Sequence, residues 1–194
     1  MPKLGMEPIR RAALVEATIA EIGLQGTLDV TVSQIARRAG MSSALAHHYF
    51  GGKEQIFLAA MRHVLTVYGA DVRAALSRAT GPRARLEAVI RAGFGTSNFR
   101  PEVIAAWLNF YALARTSADA ARLLRVYQRR LHSNLCHDLA PLAGDRAPAI
   151  AERLEGLIDG LYLRQGLRRG TPDGEAASAH VLFALELELR AVQS

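Results

Sequence analysis

The chain has 194 residues, 50% of them hydrophobic and 22% charged, which is enough apolar content to build a buried core. No apolar run approaches the ~18 residues of a membrane span, the first residues carry Lys3 without a secretory-type apolar stretch, and the single cysteine, Cys136, excludes an internal disulfide framework. A cytoplasmic protein with no membrane partner is expected, and the net charge of +6 permits a nucleic-acid partner.

Residues 1–8, with Pro2, Lys3, Gly5 and Pro8, read as a loose arm. Ile9, Ala13, Ala17 and Ala20 recur at helical spacing beside Leu14 and Ile22, and predict a helix over 9–22 that Gly23 and Gly26 end. Residues 31–50, TVSQIARRAGMSSALAHHYF, predict two short helices about a turn at Gly40. Thr31 caps the first, and Gln34 three residues later completes a capping box. Ile35, Ala36 and Ala39 give it an apolar face. Ser42 caps the second helix, whose inner side continues through Ala46, Tyr49 and Phe50. Its outer face carries Ser43, Ala44, His47 and His48, small and polar enough to enter a DNA major groove. A plain helical hairpin in an all-helical core is the alternative. Seven basic against five acidic residues leave only +2 of the charge in residues 1–62, so arrangement is more informative than amount. Arg10-Arg11 and Arg37-Arg38 flank the helix pair and are placed to straddle phosphates.

A longer helix is predicted over 53–77, with Ile56, Phe57, Ala60, Val64, Val67 and Ala74 on its core side. Thr80, Gly81 and Pro82 break it. Further helices are expected over 82–95 (Leu86, Val89, Ile90, Phe94), over 103–114 after Pro101 in a first turn, and from Ser117 or Ala118 to residue 139. Residues 141–148 read as the clearest loop of the C-terminal half. Two helices then span 149–167 and 172–192. Their stripes, Leu154, Leu157, Ile158, Leu161 and Tyr162, then Val181, Leu182, Ala184, Leu185 and Leu189, either pair with their copies in a homodimer or pack inward on one monomer. About nine helices account for the chain. The expected fold is all-α, with a three-helix helix-turn-helix domain over 1–52 and a helical ligand-sensing and dimerisation domain over 53–194.

No catalytic constellation emerges. His132 and Cys136 share a helix face and His137 is adjacent, but no second Cys/His cluster supports a metal and no orienting residue supports a nucleophile. There is no glycine-rich phosphate loop. No enzyme, metal or cofactor is therefore expected; chemistry built on Cys136 and His132 is the alternative that alkylation tests. The aromatic residues say more. Trp107, Phe110 and Tyr111 lie together on one helix at i, i+3 and i+4, with Phe94, Phe99, Tyr127 and Tyr162 on other helices. A quaternary ammonium ion donates no hydrogen bond, so ring faces and a nearby carboxylate must hold it. Asp159, a lone acid on an apolar helix, reads as a capping, pairing or ligand-contact residue, and ordinary core packing is the alternative for the rings.

The run GMSSALAHHYFGGKEQIF resembles the DNA-binding signature of the tetracycline-repressor (TetR) family: a glycine turn, a short recognition helix, the aromatic pair Tyr49-Phe50, a turn, and Lys53 opening the next helix. The resemblance implies a palindromic operator DNA partner. It implies the helix from Ser42 to Tyr49 in the major groove, with Ser43, Ala44, Leu45 and His48 facing bases and Thr31, Gln34, Arg37, His47, Tyr49 and Lys53 holding phosphates. The segments MPKLGMEPIRR, SQIARRAGMS, AAWLNFYA, RRLHSNL and LIDGLYLRQGL are similar to the betaine-pathway (BetI) branch of that family. That similarity implies a homodimeric repressor of the genes that convert choline to glycine betaine, with choline as effector. Phe94, Trp107, Phe110, Tyr111, Tyr127 and Tyr162 become the ligand-binding candidates, with Asp159 as charge partner. The helix beginning at Lys53 is the expected link to the DNA-reading head. A repressor answering to another cationic or lipophilic molecule is the alternative. Leu45 and His47 depart from the family pattern, so its operators do not transfer to this chain.

Overall fold

The computed structural model describes residues 5–168 and 170–193, and among these it contains nine α-helices, one short 3-10 turn and no strand. The helices are α1 (Met6–Gln25), α2 (Val32–Arg38), α3 (Ser43–Phe50), α4 (Lys53–Leu76), α5 (Pro82–Gly93), α6 (Pro101–Leu113), α7 (Ala118–Ala143), α8 (Ala147–Leu167) and α9 (Gly174–Gln193). The first four residues of the expected arm lie outside the described residues, and residues 6–8 are helical; Pro8 sits in the first turn of α1, where its missing N–H has no intrahelical partner to lose.

Helices α1 to α3 pack around Leu14, Ile19, Ile22, Ile35, Ala36 and Ala46, all essentially buried. The alanine spacing misplaced part of the core face of α1. Ile9 is 62% exposed, whereas Leu14, Thr18 and Ile19 are buried, because larger side chains one position away bury more area per residue. In α4, Ala74 is likewise exposed and Val72 takes the core position. Helix α1 closes at Gly26, whose φ of 67° lets its N–H reach the Ile22 carbonyl.

Two of the arginines expected at phosphates are already paired within the protein while staying partly exposed. Arg38 Nε donates to Glu21 Oε1 at 2.6 Å, and Glu21 is only 7% exposed. Arg11 donates to the Tyr49 carbonyl at 2.5 Å, and its guanidinium lies 4.3 Å from the Phe50 ring centre. These two side chains clamp α1 to α2 and α3. Arg38→Ala strands the Glu21 carboxylate and is expected to cost about 2 kcal/mol, seen as a lowered melting temperature. Replacing Glu21 by leucine in the same chain should recover most of the loss.

The expected loop over 141–148 is largely helix. Helix α7 runs through Pro141 to Ala143, and the reversal is made by Gly144 (φ 52°) and a 3-10 turn before α8. Pro141 sits in the last turn, where it forfeits one hydrogen bond at an exposed site, so local breaking power does not stop the helix. Pro148 falls in the first turn of α8, which tolerates it. Helix α9 starts at Gly174, after Pro172.

The predicted stripes of the last two helices pack inward in part, with Leu157, Leu161, Leu182 and Ala184 left half-buried. Leu154, Ile158 and Tyr162 of α8, with Val181, Leu185 and Leu189 of α9, are buried in the monomer. What remains outside is a second apolar face: Leu163 and Leu167 on α8, Phe183 and Leu187 on α9.

Candidate DNA-reading head and effector site

The turn chemistry of the head matches its sequence. Gln34 N–H donates to Thr31 Oγ1 at 3.1 Å, and Thr31 N–H donates to Gln34 Oε1 at 2.7 Å, completing the capping box. Gly40 has a φ of 67° between α2 and α3. Leu45 N–H donates to Ser42 Oγ at 3.2 Å and caps α3. Ser43 Oγ donates to Ser33 Oγ at 3.0 Å, tying α3 to α2. His47 Nδ1 lies 3.2 Å from the Gly51 carbonyl, so that nitrogen carries the proton and Nε2 is left for a partner. Ala44, His47 and His48 are exposed on α3; Ser43, Leu45 and Tyr49 are half-buried. Arg37 and Lys53 are exposed cations with no side-chain partner among the described residues.

The C-terminal half gathers most of the aromatic candidates around one residue. Trp107 on α6 has ring centroids of Tyr127 at 4.7 Å, Tyr111 at 5.7 Å and Tyr162 at 6.3 Å. Phe94 and Phe99 back Tyr162 at 5.7 and 4.9 Å. Tyr162 is fixed from α8 by donating its hydroxyl to the Gly93 carbonyl at 2.5 Å. Tyr111 donates to Asp159 Oδ1 at 2.9 Å, which brings the candidate carboxylate to the edge of the ring cluster. Phe110 is fully buried between the Trp107 ring, 5.8 Å away, and Phe57 of α4, 6.4 Å away, and does not line the central cavity.

Tyr68 of α4 closes the cluster, 5.8 Å from Tyr127. Sequence reasoning passed over it, although it follows Val64 by four residues on the same core stripe, which was the signal that could have found it. Burial pushes the Tyr68 hydroxyl up to about 12 and raises Tyr127 and Tyr162 as well, so the hydroxyls stay protonated and the rings neutral. Burial also raises the Asp159 carboxyl above its usual range, and the Tyr111 hydrogen bond brings it part of the way back. A half-buried carboxylate beside neutral rings favours an approaching cation.

The space inside the rings is about 10 Å³, room for a single water. Next to it, between α7 and α8, an open groove of about 460 Å³ is lined by Tyr127, Leu131, His132, Glu155 and Asp159 among others. His132 Nδ1 lies 2.9 Å from Glu155 Oε1, and Cys136 Sγ lies 3.4 Å from His132 Nε2. This trio does not activate sulfur: burial, then the Glu155 charge, raises the Cys136 thiol, the opposite of what a nucleophile needs.

Helix α6 also grips the head. Asn109, two residues after Trp107, accepts from Leu28 N–H at 3.1 Å and donates to the Gly26 carbonyl at 3.3 Å and to Ala105 O at 2.8 Å. Gly23 lets α1 lie directly on α6, since a Cβ there would stand 2.4 Å from Cβ of Glu102. Ser117 Oγ donates to Glu54 Oε1 at 2.6 Å, joining the start of α7 to the start of α4. The expected link through α4 is thus accompanied by a second through α6.

Comparison with known proteins assigns this architecture. Residues 14–60 match the model of the bacterial regulatory proteins of the tetR family, and residues 82–190 match the BetI-type transcriptional repressor C-terminal model. The chain belongs to the TetR family, in its BetI-type branch. The HTH-type transcriptional regulator BetI of Brucella anthropi is 53% identical, over 97% of this chain and 98% of its own length. The BetI regulator of Rhizobium meliloti is 50% identical, over 98% and 95%. Among solved structures, a transcriptional regulator from Pseudomonas aeruginosa PAO1 aligns with a TM-score of 0.78 at 28% identity, covering 98% of this chain and 95% of that one. A regulator from Saccharomonospora viridis, solved in complex with choline, shares the fold with a TM-score of 0.78 at 22% identity, covering 91% and 95%. This BetI-type chain is a DNA-binding transcriptional repressor and not an enzyme.

Proposed function

We propose that this BetI-type repressor holds a palindromic operator as a homodimer and leaves it when choline enters the ring cluster at Trp107. The observation that carries the choline reading is the convergence of Trp107, Tyr111, Tyr127 and Tyr162 beside Asp159, whose carboxylate is 2.9 Å from the Tyr111 hydroxyl. Ring faces and one partly desolvated carboxylate are the partners a trimethylammonium group can use. Phe94 supports Tyr162 from behind, and Phe110 supports Trp107 without facing the ligand. The choline complex of the S. viridis neighbour favours the same effector class.

Residues 1–52 act as the reading unit and 53–194 as the sensing unit. Helix α3 enters the major groove from its Ser42 cap, with Ser43, Ala44, Leu45 and His48 toward bases. Thr31, Gln34, Arg37, His47, Tyr49 and Lys53 hold the backbone. Lys53→Ala is expected to weaken all sequences alike and to reduce the slope of log affinity against log salt by about one per subunit. An unchanged slope removes Lys53 from the contacts.

The dimer forms through the outer face of α8 and α9. Leu163, Leu167, Phe183 and Leu187 are exposed large apolar residues on these two helices, and Phe183 is 65% exposed. Gly156 and Gly160 leave α8 flat, with open space at each missing Cβ. Phe183→Asp is expected to give a monomer by sedimentation, with operator affinity at least ~10-fold lower. The reader of a chromosomal operator works in the cytoplasm, and no helix among the described residues is long and apolar enough to cross a membrane.

The deciding experiment is a gel shift on the DNA upstream of the protein's own coding region, with choline and its uncharged carbon isostere 3,3-dimethylbutanol. Release by choline alone supports the reading. Equal release by both points to a lipophilic-effector repressor, and no shift at all removes the operator assignment.

A further inference from the structure

Two open grooves flank the closed ring cluster, and they differ in charge. The groove between α4 and α7, about 620 Å³, has Arg62, Arg73 and Arg130 on its walls and no carboxylate. The groove between α7 and α8, about 460 Å³, has Glu155 and Asp159 one helical turn apart on α8, with His132 and Arg129 on the facing helix. Tyr127 and Leu131 line both grooves and the closed cavity and form the partition on either side, and Tyr68 adds a second ring to the wall toward the α4–α7 groove. Asp159 ties only the α7–α8 groove to the rings, through Tyr111.

We propose that the quaternary ammonium effector reaches the rings through the α7–α8 groove and that Glu155 makes the site select an uncharged tail over a carboxylate tail. This rests on the choline reading above. With the ammonium against Asp159 and the rings, the rest of the molecule extends into the groove toward Glu155. A hydroxyl tail can donate to the Glu155 carboxylate there. A carboxylate tail meets two carboxylates carried at i and i+4, on residues whose Cβ atoms stand about 5–6 Å apart. His132 already engages Glu155 through Nδ1 at 2.9 Å and Cys136 through Nε2 at 3.4 Å, so neither ring nitrogen is open to an incoming anion. Arg129 lies exposed on the rim, where solvent screens it. The basic α4–α7 groove repels the cation from the other side. The site thereby distinguishes choline from glycine betaine, the zwitterion that oxidation of its alcohol yields.

Trp107 is the only tryptophan, so its fluorescence reports the ring cluster directly. Titrating the full chain with choline and with glycine betaine gives an affinity ratio for each variant. The parent should favour choline by at least ~10-fold, an energy within reach of one like-charge contact. Glu155→Gln should narrow the ratio about tenfold, mainly by tightening glycine betaine, and Glu155→Asp should restore it. Ser133→Glu, which adds a carboxylate on the opposite wall, should widen it, and Arg73→Gln should leave it unchanged. An unchanged ratio in both Glu155→Gln and Ser133→Glu overturns the selection by Glu155. A ratio or choline association rate that responds to Arg73→Gln instead moves the approach to the α4–α7 groove and overturns the route. A parent chain that shows no choline signal overturns the choline reading itself, and this inference with it.

Discussion

Replacing Asp159 by asparagine is expected to weaken choline binding about 100-fold and to leave operator binding without choline unchanged. The substitution keeps the shape and the Tyr111 hydroxyl partner while removing the charge. Truncating one side of a partly desolvated charge pair typically costs about 2–5 kcal/mol, which brackets a 100-fold loss. The rings remain, so the residual affinity measures what cation–π attraction supplies alone. The pH dependence gives a second reading of the same group. Burial raises the Asp159 carboxyl above its usual range, so it takes up its proton at a higher pH than an exposed aspartate does. Choline affinity should therefore decline as pH falls through that raised value. Stability should move the other way. The folded state binds this proton more tightly than the unfolded state does, so the penalty for burying the charge is full above the raised value and is relieved progressively as pH falls from there to the unfolded value. The Asp159→Asn variant should flatten both trends. Calorimetric titration of choline and thermal melts over the acidic range measure them, and parallel pH curves for parent and variant would remove Asp159 as the charge partner.

Asn109→Ala is expected to separate sensing from release. The ring cluster holds about 10 Å³, far less than a trimethylammonium group, so a ligand can enter only if the helices around it move apart. Trp107 and Tyr111 both sit on α6. Asn109 lies between them in sequence and binds Leu28 N–H and the Gly26 carbonyl, in the segment leading to the Thr31 cap of α2. A shift of α6 therefore pulls the support of α2 and α3. Effector coupling typically amounts to about 1–3 kcal/mol, or 5- to 150-fold in affinity. The alanine variant should bind choline by Trp107 fluorescence, and operator in a gel shift, each within about threefold of the parent. Choline should change its operator affinity by less than about threefold. Reciprocity requires the same loss when choline affinity is measured on the operator complex. Full choline-driven release by Asn109→Ala would instead assign the coupling to α4, through Lys53 and the Ser117–Glu54 contact.

Local chemistry explains why the head was legible in the chain. The capping pair Thr31 and Gln34, the turn at Gly40 and the cap Ser42 act over three or four residues, and each takes the geometry its sequence encodes. The helix pattern of the sensor half is legible for the same reason. Where a single local signal met tertiary packing, packing prevailed: α7 carries Pro141 in its last turn, and Ile9 lies outside the core that Leu14 and Ile19 fill.

The site itself divides along the same line. Trp107 and Tyr111 are visible together because they share one helix, and Asp159 stands out as an acid in an apolar stripe. Their convergence with Tyr127, Tyr162 and Tyr68 depends on three other helices, and contacts between residues far apart in sequence leave no local trace. Sequence spacing equally could not separate Arg37 from Arg38. They are neighbours in the chain, yet only the fold sets Arg38 opposite the buried Glu21.

The sequence by itself determined an all-helical regulator with a capped helix-turn-helix and an aromatic-rich sixth helix, because periodicity, caps and glycine turns are short-range. Only the tertiary structure decided which arginines are already paired, that Leu154, Ile158, Tyr162, Val181, Leu185 and Leu189 of the α8 and α9 stripes are buried while Phe183 and Leu187 stay out, and that the rings are closed with Asn109 joining them to the head. Those outcomes depend on which helices meet, and burial and charge pairing at such meetings act across distances in sequence that no local pattern spans.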